Sequence, residues 1–297
     1  MKTTYKIFGV LLFVNIFSSV ETLAWGEIGH RIVGDIAQTR LNRKARRQIK
    51  EIMGNESLAR ASTWADEIKS EPQNWKHASP WHYTQMPPGT DFHDLTPPKE
   101  GDVYTALLAM EKVLKNPAAK GEEKRQALRF IVHFIGDLHQ PLHVGNGADQ
   151  GGNWCQVLWF NNPSNLHAVW DTDMIDQLKL SFTEYSRFLN DALDEKLEKN
   201  WMAGHYDEWI IESGSLRDSI YPKVKVNGQD LIGAPYCRDP KLGPVDATLI
   251  PKLSYNYGYE HRKLLDQRLT QGGLRLAYAL NQIFDGKSLA STKVSAP

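Results

Sequence analysis

The sequence predicts a single, mainly helical domain, all-α in class, with a small β-hairpin set into one loop. Three observations predict it. Apolar residues recur at three- and four-residue steps over most of the chain, the period of an amphipathic helix. One short stretch, "WCQVLWF" between "GADQGGN" and "NNPSN", has the character and turn-residue flanks of a strand, half of a hairpin. No repeat, low-complexity linker or shift of composition marks a domain boundary.

The 297-residue chain opens with Lys2 and Lys6, the apolar run "IFGVLLFVNIF" and then "SSVETLA", where Thr22 and Ala24 are the small residues of a cleavage site. This pattern predicts a signal peptide over residues 1–24 and a domain over 25–297 that begins at Trp25. The run is shorter than the ~20 residues of a membrane-spanning helix, so the expected location is secreted or periplasmic, without stable membrane association. "RLNRKARRQIKEIMG" reads as a surface helix closed by Gly54, and "SLARASTWADEIKS" as one helix stopping before Pro72. "VYTALLAMEKVLKN" and the more apolar "EEKRQALRFIVHFIGDLHQ" come next, the latter broken by Pro141. "EHRKLLDQRLTQGGLRLAYALNQIF" is the last helix, and the tail after about residue 285 is expected to be disordered.

The chain has 35 basic and 35 acidic residues, and removing Lys2, Lys6 and Glu21 with the leader leaves 33 and 34. A near-neutral protein does not hold long nucleic acids by bulk charge, so any attraction for an anion must be local. The basic run Arg40, Arg43, Lys44, Arg46, Arg47 and Lys50 lacks interleaved aromatics and reads as a solvated helix face. Cys155 and Cys237 would both be exported, where they could pair or remain two buried thiols.

The chemistry concentrates in "FIVHFIGDLHQPLHVG". His133 and Asp137 are four apart, which puts both on one helix face among Phe130, Ile131, Phe134 and Leu138. A buried unpaired charge there is costly, and a metal ion removes the cost. His143 stands at the turn after Pro141, and "NLHAVWDTDM" repeats the spacing with His167 and Asp171. Asp66 and His82 are further candidates. Imidazole and carboxylate without thiolate suit zinc in a hydrolytic site, and the ligands exceed what one tetrahedral ion needs.

"WGEIGH" at a processed terminus, "WADEIK", "HFIGDLHQPLH" and "NLHAVWD", in this order, resemble the zinc-dependent single-strand nucleases, the type I nucleases of fungi and the bifunctional nucleases of plants. The resemblance implies the helical fold shared with zinc phospholipase C and three zinc ions. One would be held by Asp66, His82, His133 and Asp137, and a second by His143, His167 and Asp171. The third would take the α-amine and carbonyl of Trp25 with His30 and a bridging Asp137. Asp66 would orient the attacking hydroxide, Lys69 would stand near the phosphate, and Tyr83 would stack on a base. Single-stranded DNA, RNA and 3′-nucleotides would be the substrates and 5′-phosphates the products; no protein partner is implied. Gln85 and Thr172 depart from the fungal pattern, where Asp and Asn stand, which bears on base preference. His77, His93, His139, His205 and His261 are read as ordinary surface or core residues.

Two other readings compete. A zinc phospholipase C would share fold and cluster, but its ligand series ends in His-x-x-x-Glu, whereas this chain has His167-x-x-x-Asp171. A non-catalytic exported zinc-binding protein would be expected to carry flexible His-rich tracts, and the sequence has none.

Overall fold

In the computed structural model, which describes residues 25–289, the chain enters directly on a helix. The expected leader and the last eight positions, 290–297, lie outside the described residues. Helix α1 (Glu27–Thr39) buries His30, Ile32, Val33, Ile36 and Ala37 along one face. In α2 (Arg43–Met53) the Asn42 side chain caps the start by accepting the Ala45 N–H, and Gly54 at φ 66° ends it. Ala45, Ile49 and Met53 face inward, while Arg43, Lys44, Arg46, Arg47 and Lys50 are all exposed.

The segment read as one helix up to Pro72 is broken into α3 (Leu58–Ala61), α4 (Trp64–Glu67) and a 3-10 turn, Ile68–Ser70. The cause lies in Ser62 and Thr63. Their hydroxyls bond back to Ala59 O at 2.8 Å and Arg60 O at 3.3 Å, and such side-chain bonds compete with the helical ladder. The break re-aims Asp66 and leaves the Ser62 carbonyl free to bond a side chain.

A short α5 (Pro72–Trp75), a 3-10 stretch (Lys76–His82) and strand β1 (Thr84–Gln85) lead to α6 (Val103–Lys115), opened by an Asp102–Thr105 capping box. Helix α7 (Gly121–Asp137) carries the most heavily buried sequence and stops at Asp137, four residues ahead of Pro141. Strand β2 (Val144–Gly145) then pairs in parallel with β1.

The expected hairpin is present as β3 (Gln156–Trp159) and β4 (Asn162–Asn165), turned by Phe160 and Asn161 at positive φ. After α8 (Leu166–Ala168) the backbone widens into a π-helical turn, Val169–Asp173, before α9 (Met174–Asp176). Helices α10 (Phe182–Asp191), α11 (Glu195–Trp201) and α12 (Tyr206–Arg217) come next. A second hairpin, β5 (Lys223–Val226) with β6 (Gln229–Ile232), was not evident from the sequence pattern, since its strands are short, rich in charged and polar residues and largely exposed. The short β7 (Lys252–Leu253) lies parallel to β3 and precedes α13 (Tyr255–Asp285), the longest helix.

Helices α1 and α13 set the core. A Cβ on Gly273 would lie 2.5 Å from Ile36, so the "QGG" of α13 is what lets the two helices approach. The buried apolar side chains form one cluster running from Trp25 to Leu289. No helix among the described residues is long and apolar enough to cross a membrane.

Cys155 and Cys237 form a disulfide across 82 residues of sequence. It closes a loop long enough that reduction should lower stability by about 2–5 kcal/mol. Denaturant titration with and without reductant measures this; an unchanged midpoint would show that the bridge adds nothing.

Candidate metal centre

Asp137 closes α7 with its carboxylate fully buried, and three imidazoles converge on it. His133, one turn earlier on the same helix, brings Nε2 to 3.2 Å from Oδ2. His82, from the 3-10 stretch, places Nδ1 3.1 Å from the same oxygen. His30, from α1, holds Nε2 3.2 Å from Oδ1. Asp66 completes this side, its Oδ1 lying 3.7 Å from His133 and 3.8 Å from His82. Beyond Asp137 lies a second group. His167 Nε2 is 2.9 Å and His143 Nε2 3.8 Å from the Asp171 carboxylate. The eight side-chain positions that the sequence nominated as ligands besides Trp25 therefore stand together in two adjoining groups.

The backbone decides which nitrogen each ring presents. His133 Nδ1 donates to Ser62 O at 2.6 Å, His143 Nδ1 to His82 O at 2.7 Å, and His167 Nδ1 to Gly151 O at 2.6 Å. A carbonyl only accepts, so each Nδ1 carries the proton and each Nε2 is the nitrogen aimed inward. This is the arrangement in which a metal-ligating histidine is held by its other nitrogen. His30 is fixed differently: its ring stacks on His133 with centroids 3.8 Å apart. Gly136 makes room for it, since a Cβ there would stand 2.9 Å from His30 Nδ1.

Several buried atoms in the centre lack hydrogen-bond partners among the described residues: both His30 nitrogens, Asp137 Oδ1, His143 Nε2 and Asp171 Oδ2. Orphaned buried donors and acceptors cost about 1–3 kcal/mol each, and their concentration here fits cation binding by an all nitrogen-and-oxygen donor set. The protein's own charges are already strained. Burial and Lys69 push His82 down to about 4. Burial would also lower His143, but the Asp137 and Asp171 carboxylates outweigh it and raise the ring to about 9. Against burial, His167 and His143 hold Asp171 down at about 2.

Trp25 is wholly buried, and its indole Nε1 donates to Gly136 O at 2.8 Å, one residue from Asp137. The Gly26 N–H donates to Asp171 O at 2.8 Å. The indole thus anchors the segment to α7, a role for which residue order alone gave no signal. Lys69 Nζ donates to Asp66 Oδ1 at 2.7 Å. A cleft of about 560 Å³ opens over the centre, lined by Lys69, Trp75, His82, Tyr83, His143 and His167 among others. Tyr83 is 44% exposed at its rim. Gln85 also lines it, with Oε1 accepting the Gly147 N–H at 3.0 Å. Thr172 instead lies against Gly26.

The remaining histidines stay apart from the ligand groups. His139 is buried, donates from Nδ1 to Ile135 O at 2.7 Å, and faces Arg275 at 3.1 Å. It belongs to a buried network under the end of α7. Arg268 Nε donates to His139 O at 3.0 Å, and its Nη1 lies 3.0 Å from Glu212, which also pairs with Arg275. His77 packs between Trp75 and Trp81, His93 and His205 lie against Asp207, and His261 against Tyr257.

A mainly helical fold with a buried, multi-histidine and multi-carboxylate centre under an open cleft defines a protein whose centre could hold metal ions. Comparison with known proteins gives its family. Residues 25–285 match the model of the S1/P1 nuclease family, and the chain belongs to that family, whose members are zinc-dependent hydrolases of phosphodiester bonds. It is 31% identical to Endonuclease 4 of Arabidopsis thaliana over 281 residues, covering 89% of this chain and 91% of the relative. Endonuclease 3 of the same plant is 32% identical over 278 residues, covering 89% and 90%. Nuclease S1 of Aspergillus oryzae is 31% identical over 273 residues, covering 88% and 92%.

Burial alone would raise the Glu212 carboxyl, but Arg268 and Arg275 outweigh burial and hold it at about 2, below the ordinary 4.5. A depressed carboxyl contributes stability that is present above pH about 4.5 and lost as pH falls toward 2. Glu212→Gln should therefore cost roughly 1–3 kcal/mol at neutral pH and flatten the acid side of the stability curve. Thermal midpoints of the two proteins between pH 2 and 5 measure this, and parallel curves would contradict it.

Proposed function

We propose that the chain is an exported, zinc-dependent endonuclease that cuts single-stranded DNA and RNA to 5′-phosphates and also removes the phosphate of 3′-nucleotides. The observation that carries this reading is the convergence of Asp66, His30, His82, His133 and Asp137 beside His143, His167 and Asp171 beneath an open cleft. Three zinc ions fit the sets that the resemblance implies: Asp66, His82, His133 and Asp137; His143, His167 and Asp171; and His30, Asp137 and the terminal amine and carbonyl of a processed Trp25. Bound zinc would supply a hydroxide at neutral pH and charge for the phosphate oxygens.

The chain's own residues supply the rest. Asp66 has one oxygen held by Lys69, which leaves the other to accept a proton and orient a water. The same Lys69 ammonium lines the cleft and would meet a phosphate oxygen there. Three bound zinc ions against Asp66, Asp137 and Asp171 would leave a local charge of about +3 in a protein whose bulk charge is near zero. Tyr83 offers an exposed ring at the rim; stacking is worth about 1–3 kcal/mol per base and needs a base free of a duplex, which favours single strands. Gln85 lines the same cleft where the fungal pattern has Asp, so a different or broader base preference is expected. A secreted or periplasmic location would accompany removal of the leader, which would expose the amine of Trp25.

Asp66→Asn should lower kcat on single-stranded DNA by at least about 100-fold while leaving the thermal midpoint nearly unchanged. Near-normal turnover would sink the assigned role. An alanine inserted ahead of Trp25 in the exported protein should remove about one zinc equivalent per chain, read by metal analysis against the parent. Equal zinc content in the two would dismiss the terminal amine as a ligand.

A further inference from the structure

Gln140 carries no charge and is fully buried, yet it touches residues of both ligand groups. Its Oε1 accepts the Leu142 N–H at 2.5 Å, which fixes the amide so that Nε2 points the other way. Nε2 donates to Asp171 Oδ1, also at 2.5 Å. On the main chain, the Gln140 N–H donates to Asp137 O at 2.9 Å and its carbonyl accepts the His143 N–H at 3.0 Å. One residue is thereby bonded to Asp137, His143 and Asp171.

The consequence falls on Asp171. With Oδ1 committed to Gln140 and the main-chain oxygen committed to Gly26, only Oδ2 is left unpartnered, and it faces His167 Nε2 at 2.9 Å. A free carboxylate would rotate between arrangements; this one is held with a single oxygen presented. We propose that Gln140 is a positioning residue that sets the zinc affinity of the His143, His167 and Asp171 group by fixing the Asp171 carboxylate. This rests on the zinc reading of the centre. A side chain that merely closed the Pro141 turn would need only its acceptor for the Leu142 N–H. The donor toward Asp171 is the extra feature, and it separates the two roles.

Gln140→Glu isolates that feature, because Glu keeps an acceptor for Leu142 and loses the donor to Asp171. Gln140→Leu removes both. Zinc release from the processed protein to a chromophoric chelator at graded concentration gives the affinity of each class of bound zinc, with circular dichroism as the check on folding. In both variants one class should weaken by about 10–100-fold, the range for loss of a group that orients a metal ligand, while the rest release as in the parent. Should Gln140→Leu fail to fold, Gln140→Glu alone decides. Release from Gln140→Glu that matches the parent, or equal weakening of all classes, overturns the proposal. A parent that holds no zinc brings down the metal reading itself, whatever Gln140 does.

Discussion

The structure depends on one constraint: three of the buried imidazoles must offer one chosen nitrogen inward, and a fixed acceptor on the other nitrogen enforces the choice. Three backbone carbonyls do this, those of Ser62, His82 and Gly151. A carbonyl inside a regular helix is already engaged, so each must come from a place where regular structure has stopped. Ser62 sits where α3 breaks from α4, and His82 ends a 3-10 stretch. Gly151 turns at φ 59° in the loop that the disulfide at Cys155 ties down. Three irregular stretches of the fold thus supply the carbonyls that orient rings of the centre.

The same constraint explains what lies behind the centre. The last carbonyls of α7 and the turn after it would be orphaned in a dry interior; Ser213 bonds the one at Leu138, and Arg268 the one at His139. Burying Arg268 and Arg275 requires Glu212, so a charged network is built under a helix end that itself carries Asp137. Replacing Glu212 would leave both guanidinium groups without their carboxylate, so the network hangs on that one residue.

Much of this was legible in the residues. The helical period and Gly54 mark helices and one of their ends, and the paired His-x-x-x-Asp spacings mark residues of both buried groups. What sequence could not show is where local chemistry overrides period. Ser62 and Thr63 look like ordinary helix surface until their hydroxyls return to the backbone. The spacing of His167 and Asp171 suggested a regular helix, yet the chain widens into a π turn there, and a widened turn shifts the angular register of the residues after it. Gln140, Arg268 and Glu212 act through partners far away in sequence, and no local pattern encodes a partner. Gly136 reads as a helix weakness and is in fact the space that His30 occupies.

Trp25 ties the two ligand groups to the start of the domain. Its placement is fixed by bonds to residues later in the chain: its indole to Gly136, and the next residue's N–H to Asp171. Those two contacts reach the end of α7 and the π turn, which carry residues of the two different groups. Neither bond requires a residue ahead of Trp25, so removal of a leader would leave the anchor intact. The indole therefore does the positioning and the terminus would supply the chemistry. A large buried aromatic at Trp25 would allow a processed chain end, ordinarily the loosest part of a protein, to serve in a site where ångström placement matters.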